Sequence, residues 1–128
     1  MTRIHLSLRT PDLDAATTFY TALLGAAPDK VRDGYVRFAP AGVPIVLSLM
    51  PGEAEVDHFG LRVDAEAADG TFATLSSAGL PVSPSDVVCC HAEKQETWMR
   101  DPDGRPWEVY AVTDDAPTKA ATPTRCCA

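Results

Sequence analysis

The sequence HLSLR at residues 5–9 returns as HFGLR at residues 58–62, with three of the five positions identical. A second pair follows in the same order, because the frame P-x-G-x-P occurs in PAGVPIVL at residues 40–47 and again in PDGRPWEV at residues 102–109. Such repeats indicate two copies of one supersecondary unit. The second copy is longer before its P-x-G-x-P turn, and its extra segment includes the adjacent cysteines of VVCCH.

The first half predicts a strand, then a helix, then further strands. RIHLSLR alternates apolar and polar positions, as a strand does. Thr10 is the expected N-cap of the helix, with Pro11 at its first position and Gly25 at its end. Strands are expected near residues 35–38 and 44–49, joined by a Pro/Gly turn.

The second half predicts the same order of elements. HFGLRV is typical of a strand, Asp64 is the expected N-cap of a helix, and Gly79 ends that helix. Strands are expected near residues 81–88, 97–100 and 107–112. The whole pattern predicts an α+β fold built from two βαβββ modules.

The repeat also predicts the domain organisation. We expect one domain over residues 1–113, with modules at residues 1–52 and 53–113. Residues 114–128 are polar and contain prolines, which predicts a mobile C-terminal tail. A monomer and a homodimer are both compatible with this organisation.

Composition restricts the location and the partners. The chain has 128 residues and a formal net charge of -7, which argues against nucleic acid and anionic membranes as partners. Its apolar runs are shorter than the roughly 18 residues of a membrane span, and the segment MTRIHLSLRT lacks the apolar region of a signal peptide. We therefore expect a cytoplasmic protein, whose cysteines stay reduced.

Two histidines occupy matched positions of the repeat. His5 and His58 should therefore face the same central space. Glu108 lies two residues after Pro106 in an apolar strand, where an inward carboxylate needs a partner, although it could instead face solvent. Its repeat mate is Val46, which cannot bind a metal; a glutamate there would have favoured a four-ligand Lewis-acid site. Two histidines and one carboxylate are typical of non-haem Fe(II) oxygenases, while Zn²⁺ and Mn²⁺ use the same ligand types.

Cys89 and Cys90 are adjacent in the sequence. A disulfide between neighbours requires strained geometry, and the spacing does not match the C-x-x-C pattern of a structural zinc site. The pattern therefore favours metal, metalloid or redox chemistry for this pair, with inert surface cysteines as the alternative. The second pair, Cys126 and Cys127, either relays a ligand to the first or is simply part of the tail.

Four segments resemble the vicinal oxygen chelate superfamily, which includes glyoxalases and extradiol dioxygenases. They are IHLSLR, FYTALLGAAP, DHFGLRV and MRDPDGRPWEVY, and the resemblance covers residues 2–112. Within this superfamily, CCHAEKQETWMRDPDGRPWEVY is similar to the signature of the C–As lyases. That resemblance implies an Fe(II)-dependent dioxygenase that cleaves the carbon–arsenic bond of trivalent organoarsenicals. It implies that His5, His58 and Glu108 hold iron, and that Cys89 and Cys90 hold the arsenical.

The chemistry of the residues agrees with this resemblance. Trivalent arsenic is soft and prefers thiolates, and R–As(OH)₂ has two exchangeable positions that two thiolates saturate. Side chains of neighbours on a regular strand point to opposite faces, so Cys89 and Cys90 can bind one arsenic only where the backbone leaves strand geometry. The polar run HAEKQE predicts a flexible loop that closes over the iron, with Glu93, Lys94 and Glu96 on its solvated face.

Two positions depart from the signature of the C–As lyases. His91 stands where tyrosine is usual, and Glu96 stands where lysine is usual, which bears on the substrate preference. His91 has three interpretations: a surface residue, a contact to the substrate, or an additional metal ligand.

The expected substrates are dioxygen and a trivalent organoarsenical such as methylarsenite or an aryl arsenite, and the expected product is inorganic arsenite. Two other functions fit parts of the pattern. One is an extradiol-type dioxygenase of the same fold, in which the cysteines are incidental. The other is a non-catalytic protein that binds As(III) or Cd(II) through its thiols.

Overall fold

The computed structural model describes residues 1–115, so Cys126, Cys127 and most of the expected tail lie outside the described residues. The strands are β1 (Arg3–Thr10), β2 (Lys30–Arg32), β3 (Tyr35–Phe38), β4 (Ile45–Pro51), β5 (Glu55–Arg62), β6 (Ser85–Cys89), β7 (Ala92–Arg100) and β8 (Pro106–Asp114). The helices are α1 (Leu13–Leu24) and α2 (Ala68–Ser77), the second preceded by a 3₁₀ turn at Ala65–Ala67. The order strand, helix and three strands thus occurs twice, which confirms the predicted α+β class with two βαβββ modules.

The described chain forms two compact units. The first unit is Thr2–Gly60, and the second begins at Leu61 and also includes Met1. The boundary falls within β5, whose first six residues belong to the first unit. None of the helices in residues 1–115 is long and apolar enough to cross a membrane.

Strand order in the first unit is β2-β3-β4-β1-β5. β1 runs parallel to β4, and their register pairs His5 with Val46. Apolar side chains of β1, β3, β4 and α1 form its core: Leu6, Leu8, Leu13, Ala16, Tyr20, Leu24, Val36, Phe38, Leu47 and Leu49. Because side chains alternate along a strand, the core residues Leu6 and Leu8 place His5 and Ser7 on the face opposite α1.

Helix α1 starts two residues later than the sequence predicts. Thr10 is the last residue of β1, and Asp12 is the N-cap, whose carboxylate accepts a hydrogen bond of 3.0 Å from the Ala15 backbone N–H. Either residue type can cap a helix, but Thr10 is held in the strand by its register with Pro51. The predicted helix end is confirmed, because Gly25 adopts the left-handed conformation at φ 65°.

Strands β8, β7 and β6 of the second unit pair antiparallel in that order. The core on one face consists of Val63, Ala68, Phe72, Val109 and Ala111. Since Val109 and Ala111 point into this core, Glu108 and Tyr110 project from the opposite face of β8. Polar, buried side chains therefore lie on the face away from α2.

The predicted loop after the cysteines is wrong. The polar segment belongs to β7, which begins at Ala92, and only two residues separate it from the end of β6 at Cys89. Lys94 and Glu96 are each 3% exposed, so they do not form a solvated face. Their burial is possible because they are charged or polar partners of Glu108, as described below, and this pairing allows a polar sequence to form an interior strand.

Candidate active site

Two buried histidines lie side by side in the first unit. His5 on β1 and His58 on β5 are 3% and 1% exposed. Their ring centroids are 5.3 Å apart, and the rings meet edge to face at 82°. The structure thus brings together the two histidines that occupy matched positions of the sequence repeat.

Asp57 orients the His58 ring. Its Oδ2 atom lies 2.7 Å from His58 Nδ1, and its Oδ1 atom accepts hydrogen bonds from Arg9 Nε at 3.0 Å and from the Arg9 terminal nitrogen at 2.6 Å. Partial burial opposes ionisation, but the hydrogen bonds from His58 and Arg9 and the positive charge of Arg9 hold the pKa of Asp57 below its usual value. A carboxylate only accepts, so Nδ1 carries a proton and Nε2 is the nitrogen suited to bind a metal.

His5 has a hydroxyl network beside it. Its Nε2 atom lies 3.2 Å from Ser48 Oγ, which lies 3.1 Å from the hydroxyl of Tyr35. All three residues are buried. The network fixes the His5 ring on the same face as the other polar residues of β1 and β4.

A buried ionisable group lies in the second unit. Glu108 is 0% exposed, which excludes the solvent-facing alternative for this residue. Lys94 Nζ donates to Glu108 Oε2 at 3.4 Å and lies 4.5 Å from the centroid of the Tyr110 ring. Glu96 is a second buried carboxyl group beside Glu108. Burial, followed by the interaction with the Glu108 carboxylate, raises the pKa of Glu96 to about 8.

The cysteines occupy a tight turn between β6 and β7. Cys90 and His91 have φ values of 52° and 60°, and Cys89 pairs with Ala92 across the hairpin. Positive φ at both central residues is the geometry of a type I′ turn. The backbone therefore leaves strand geometry at Cys90, which is the condition for both sulfurs to reach one atom.

The two sulfur atoms lie close together. Cys89 Sγ and Cys90 Sγ are 3.6 Å apart, and the residues are 2% and 9% exposed, whereas His91 is exposed. This distance excludes a bond between the two sulfurs. Both cysteines are disulfide-bonded in the structure, although not to each other, so neither is a free thiol.

The family model of the Glyoxalase/Bleomycin resistance protein/Dioxygenase superfamily matches residues 3–109. The chain belongs to this superfamily. The resemblance inferred from the repeated histidine segments is therefore confirmed.

Several proteins are similar to this member of the glyoxalase/dioxygenase superfamily over most of its length. The trivalent organoarsenical cleaving enzyme of Thermomonospora curvata is 43% identical over 134 residues, covering 99% of this chain and 89% of that protein. The cadmium-induced protein CadI of Mycobacterium tuberculosis is 37% identical, covering 96% of this chain and 84% of that protein. The Mn(II)-bound glyoxalase of Novosphingobium aromaticivorans has a TM-score of 0.62 at 23% identity, covering 94% of this chain and 44% of that chain. This last likeness shows the fold alone.

Several polar partners in this glyoxalase/dioxygenase superfamily member escaped the sequence analysis. The sequence pattern predicts Asp57 and Arg9 only as parts of strands, although Asp57 directly precedes a candidate ligand. It predicts a loop for Lys94 and Glu96. Their spacing of two residues is a signal for a shared strand face, and it could have placed both beside a buried carboxylate.

Proposed function

We propose that this protein cleaves the carbon–arsenic bond of trivalent organoarsenicals, such as methylarsenite or aryl arsenites, with dioxygen and Fe(II). The observation that carries the proposal is the Cys89–Cys90 pair, whose sulfurs lie 3.6 Å apart on a turn. The 43% identity to an enzyme named for organoarsenical cleavage supports it. Reduced thiols are required for this chemistry, which fits a cytoplasmic location.

We propose His5, His58 and Glu108 as the residues that hold the iron. Each offers one ligand atom, and all three are buried. The hydrogen bond from His58 Nδ1 to a carboxylate is the arrangement usual for metal-binding histidines. In the first unit His5 is in register with Val46. The repeat predicts that Glu108 occupies the same position relative to His58.

This donor set suits Fe(II). Two imidazoles and one carboxylate leave further coordination positions for other ligands. When bound, Fe(II) supplies the activation of dioxygen that the protein side chains cannot provide. The residues of this chain hold the metal, bind the arsenical and exclude water from the buried site.

In this proposal the turn that carries Cys89 and Cys90 binds the substrate. The reduced thiols of Cys89 and Cys90 displace two hydroxyl groups of R–As(OH)₂, so that two S–As bonds form and two waters leave. The organic group R stays on arsenic. Binding through two points fixes its orientation, an effect that lowers reaction barriers by several kcal/mol in favourable cases. We propose that His91, exposed on the same turn, contacts R and influences which organic groups are accepted.

Arsenic speciation tests the proposal. Reduced protein loaded with Fe(II) without air is mixed with methylarsenite or phenylarsenite and then exposed to air. We expect inorganic arsenite and an oxidised organic fragment from the native protein. Cys89→Ser and Cys90→Ser should abolish cleavage, whereas Ser85→Ala, at an exposed position of β6, should retain it.

The same sulfur pair also supports a second function, which is sequestration of As(III) or Cd(II) without catalysis. A relative named for cadmium induction favours keeping this alternative. It predicts tight binding but no arsenite from either substrate in air. An extradiol-type dioxygenase is the third reading, and it predicts catechol cleavage that Cys89→Ser leaves intact.

A further inference from the structure

Lys94 is a buried cation directly beside Glu108. Its side chain is 4% exposed, and its ammonium group lies 3.4 Å from one Glu108 oxygen and 4.5 Å from the centre of the Tyr110 ring. Burial of a lysine is costly unless it is paired and hydrogen-bonded. Its contacts are concentrated on one carboxylate and one aromatic face, both on β8.

The contact is specific to one oxygen. Lys94 reaches Oε2 of Glu108, and the Tyr110 ring supports the ammonium group from the same strand. A lysine ammonium held at two points restricts rotation of the carboxylate that it binds. On the basis of the proposed iron site, we infer that Lys94 is a positioning residue. It holds Oε2 of Glu108, so that Glu108 binds the metal through its other oxygen alone.

Single-oxygen binding has a functional consequence. A carboxylate can bind a metal through one or both oxygens. If Oε2 is held by Lys94, Glu108 occupies one coordination position instead of two. One more position therefore stays available to substrates, at the cost of weaker metal binding.

Co(II) substitution tests this role without relying on activity. We compare native protein with Lys94→Met, Lys94→Arg and the matched control Gln95→Met, which introduces the same residue at the neighbouring position of β7. Lys94→Met should bind Co(II) several-fold more tightly, because a positive charge is lost and Oε2 is released. Its visible d–d bands should weaken, since absorption falls as the coordination number rises. Lys94→Arg and Gln95→Met should retain the native spectrum.

The possible outcomes separate this inference from the proposed function. A merely structural role for Lys94 predicts weaker Co(II) binding through a loosened site, and that result, or an unchanged spectrum in folded Lys94→Met, overturns the inference alone. If Lys94→Met does not fold, the decision passes to Lys94→Leu, which also removes both the charge and the donor and should change the Co(II) affinity and the spectrum in the same direction. A native protein that binds no Co(II) overturns the iron site and this inference together.

Discussion

Asp57 on β5 orients the ring of its neighbour His58 through a hydrogen bond to Nδ1. We predict that Asp57→Asn lowers the affinity for Mn(II) or Fe(II) by about 10- to 100-fold, because removing the partner of a metal-binding histidine typically has this effect. Titration calorimetry with Mn(II) provides the measurement. Asp29→Asn is a matched control, because Asp29 is bonded to Arg37 and not to a histidine. Equal losses in both variants would contradict the assignment.

The sulfur atoms of Cys89 and Cys90 need reduction before they can bind arsenic. Both are in disulfide form in the structure, and a disulfide sulfur is not a nucleophile. We predict that protein purified without reductant binds no phenylarsenite, whereas reduced protein binds one arsenic through this pair. Intact-mass spectrometry detects the adduct. Single and double serine variants should lose binding equally, because the two thiols act as a unit; a single variant with half the native affinity would argue against a shared arsenic atom.

Residue types alone predict the proposed metal ligands but not the residues that support them. His5, His58 and Glu108 can be proposed from the sequence because the repeat marks two of them and an apolar strand surrounds the third. The roles of Asp57 and Lys94 depend on which side chains meet across strands. Hydrogen-bond partners far apart in sequence leave no periodic pattern, so these contacts required the structure.

The hairpin β6–β7 owes its shape to a turn with an unfavourable backbone. His91 has φ 60°, a conformation that asparagine tolerates and β-branched residues do not. We predict that His91→Val lowers the free energy of unfolding by about 1–2 kcal/mol relative to His91→Asn. Urea unfolding of the reduced proteins gives the comparison. Equal stabilities would show that the turn relaxes to another conformation.

The same hairpin explains why the element boundaries were hard to predict. Polarity of residues 91–96 indicated a loop, because charged residues are rarely buried without partners. Here Lys94 and Glu96 are buried against Glu108, and the strand continues through them. The helix end at Gly25 was predictable because its signal is local, whereas the strand depends on contacts with β8.

At the scale of the whole chain, the order of elements follows from the repeat. Two segments that begin with histidine, each followed by a helix and then by a P-x-G-x-P turn, predict two βαβββ modules, and the structure has this order. The modules differ at the residues proposed for the site. The first has Val46 where the second has Glu108, and the second alone contains the cysteine turn. The two modules thus share one order of elements but carry different residues at the matched positions.

Val46→Glu gives the first module the carboxylate that the second module has at Glu108, and it should slow the proposed cleavage reaction. Val46 is 1% exposed and in register with His5, so Val46→Glu adds a buried carboxylate beside a proposed ligand. We predict that the metal-free variant loses about 3–5 kcal/mol of stability from the unpaired charge, and that Mn(II) raises its Tm more than it raises that of the native protein. Cleavage of methylarsenite should fall, because the fourth donor occupies a position needed by substrates. Val46→Gln serves as the control, since its amide adds similar volume with weaker metal binding. Native rates of cleavage in Val46→Glu, with its metal bound, would mean that position 46 does not face the metal.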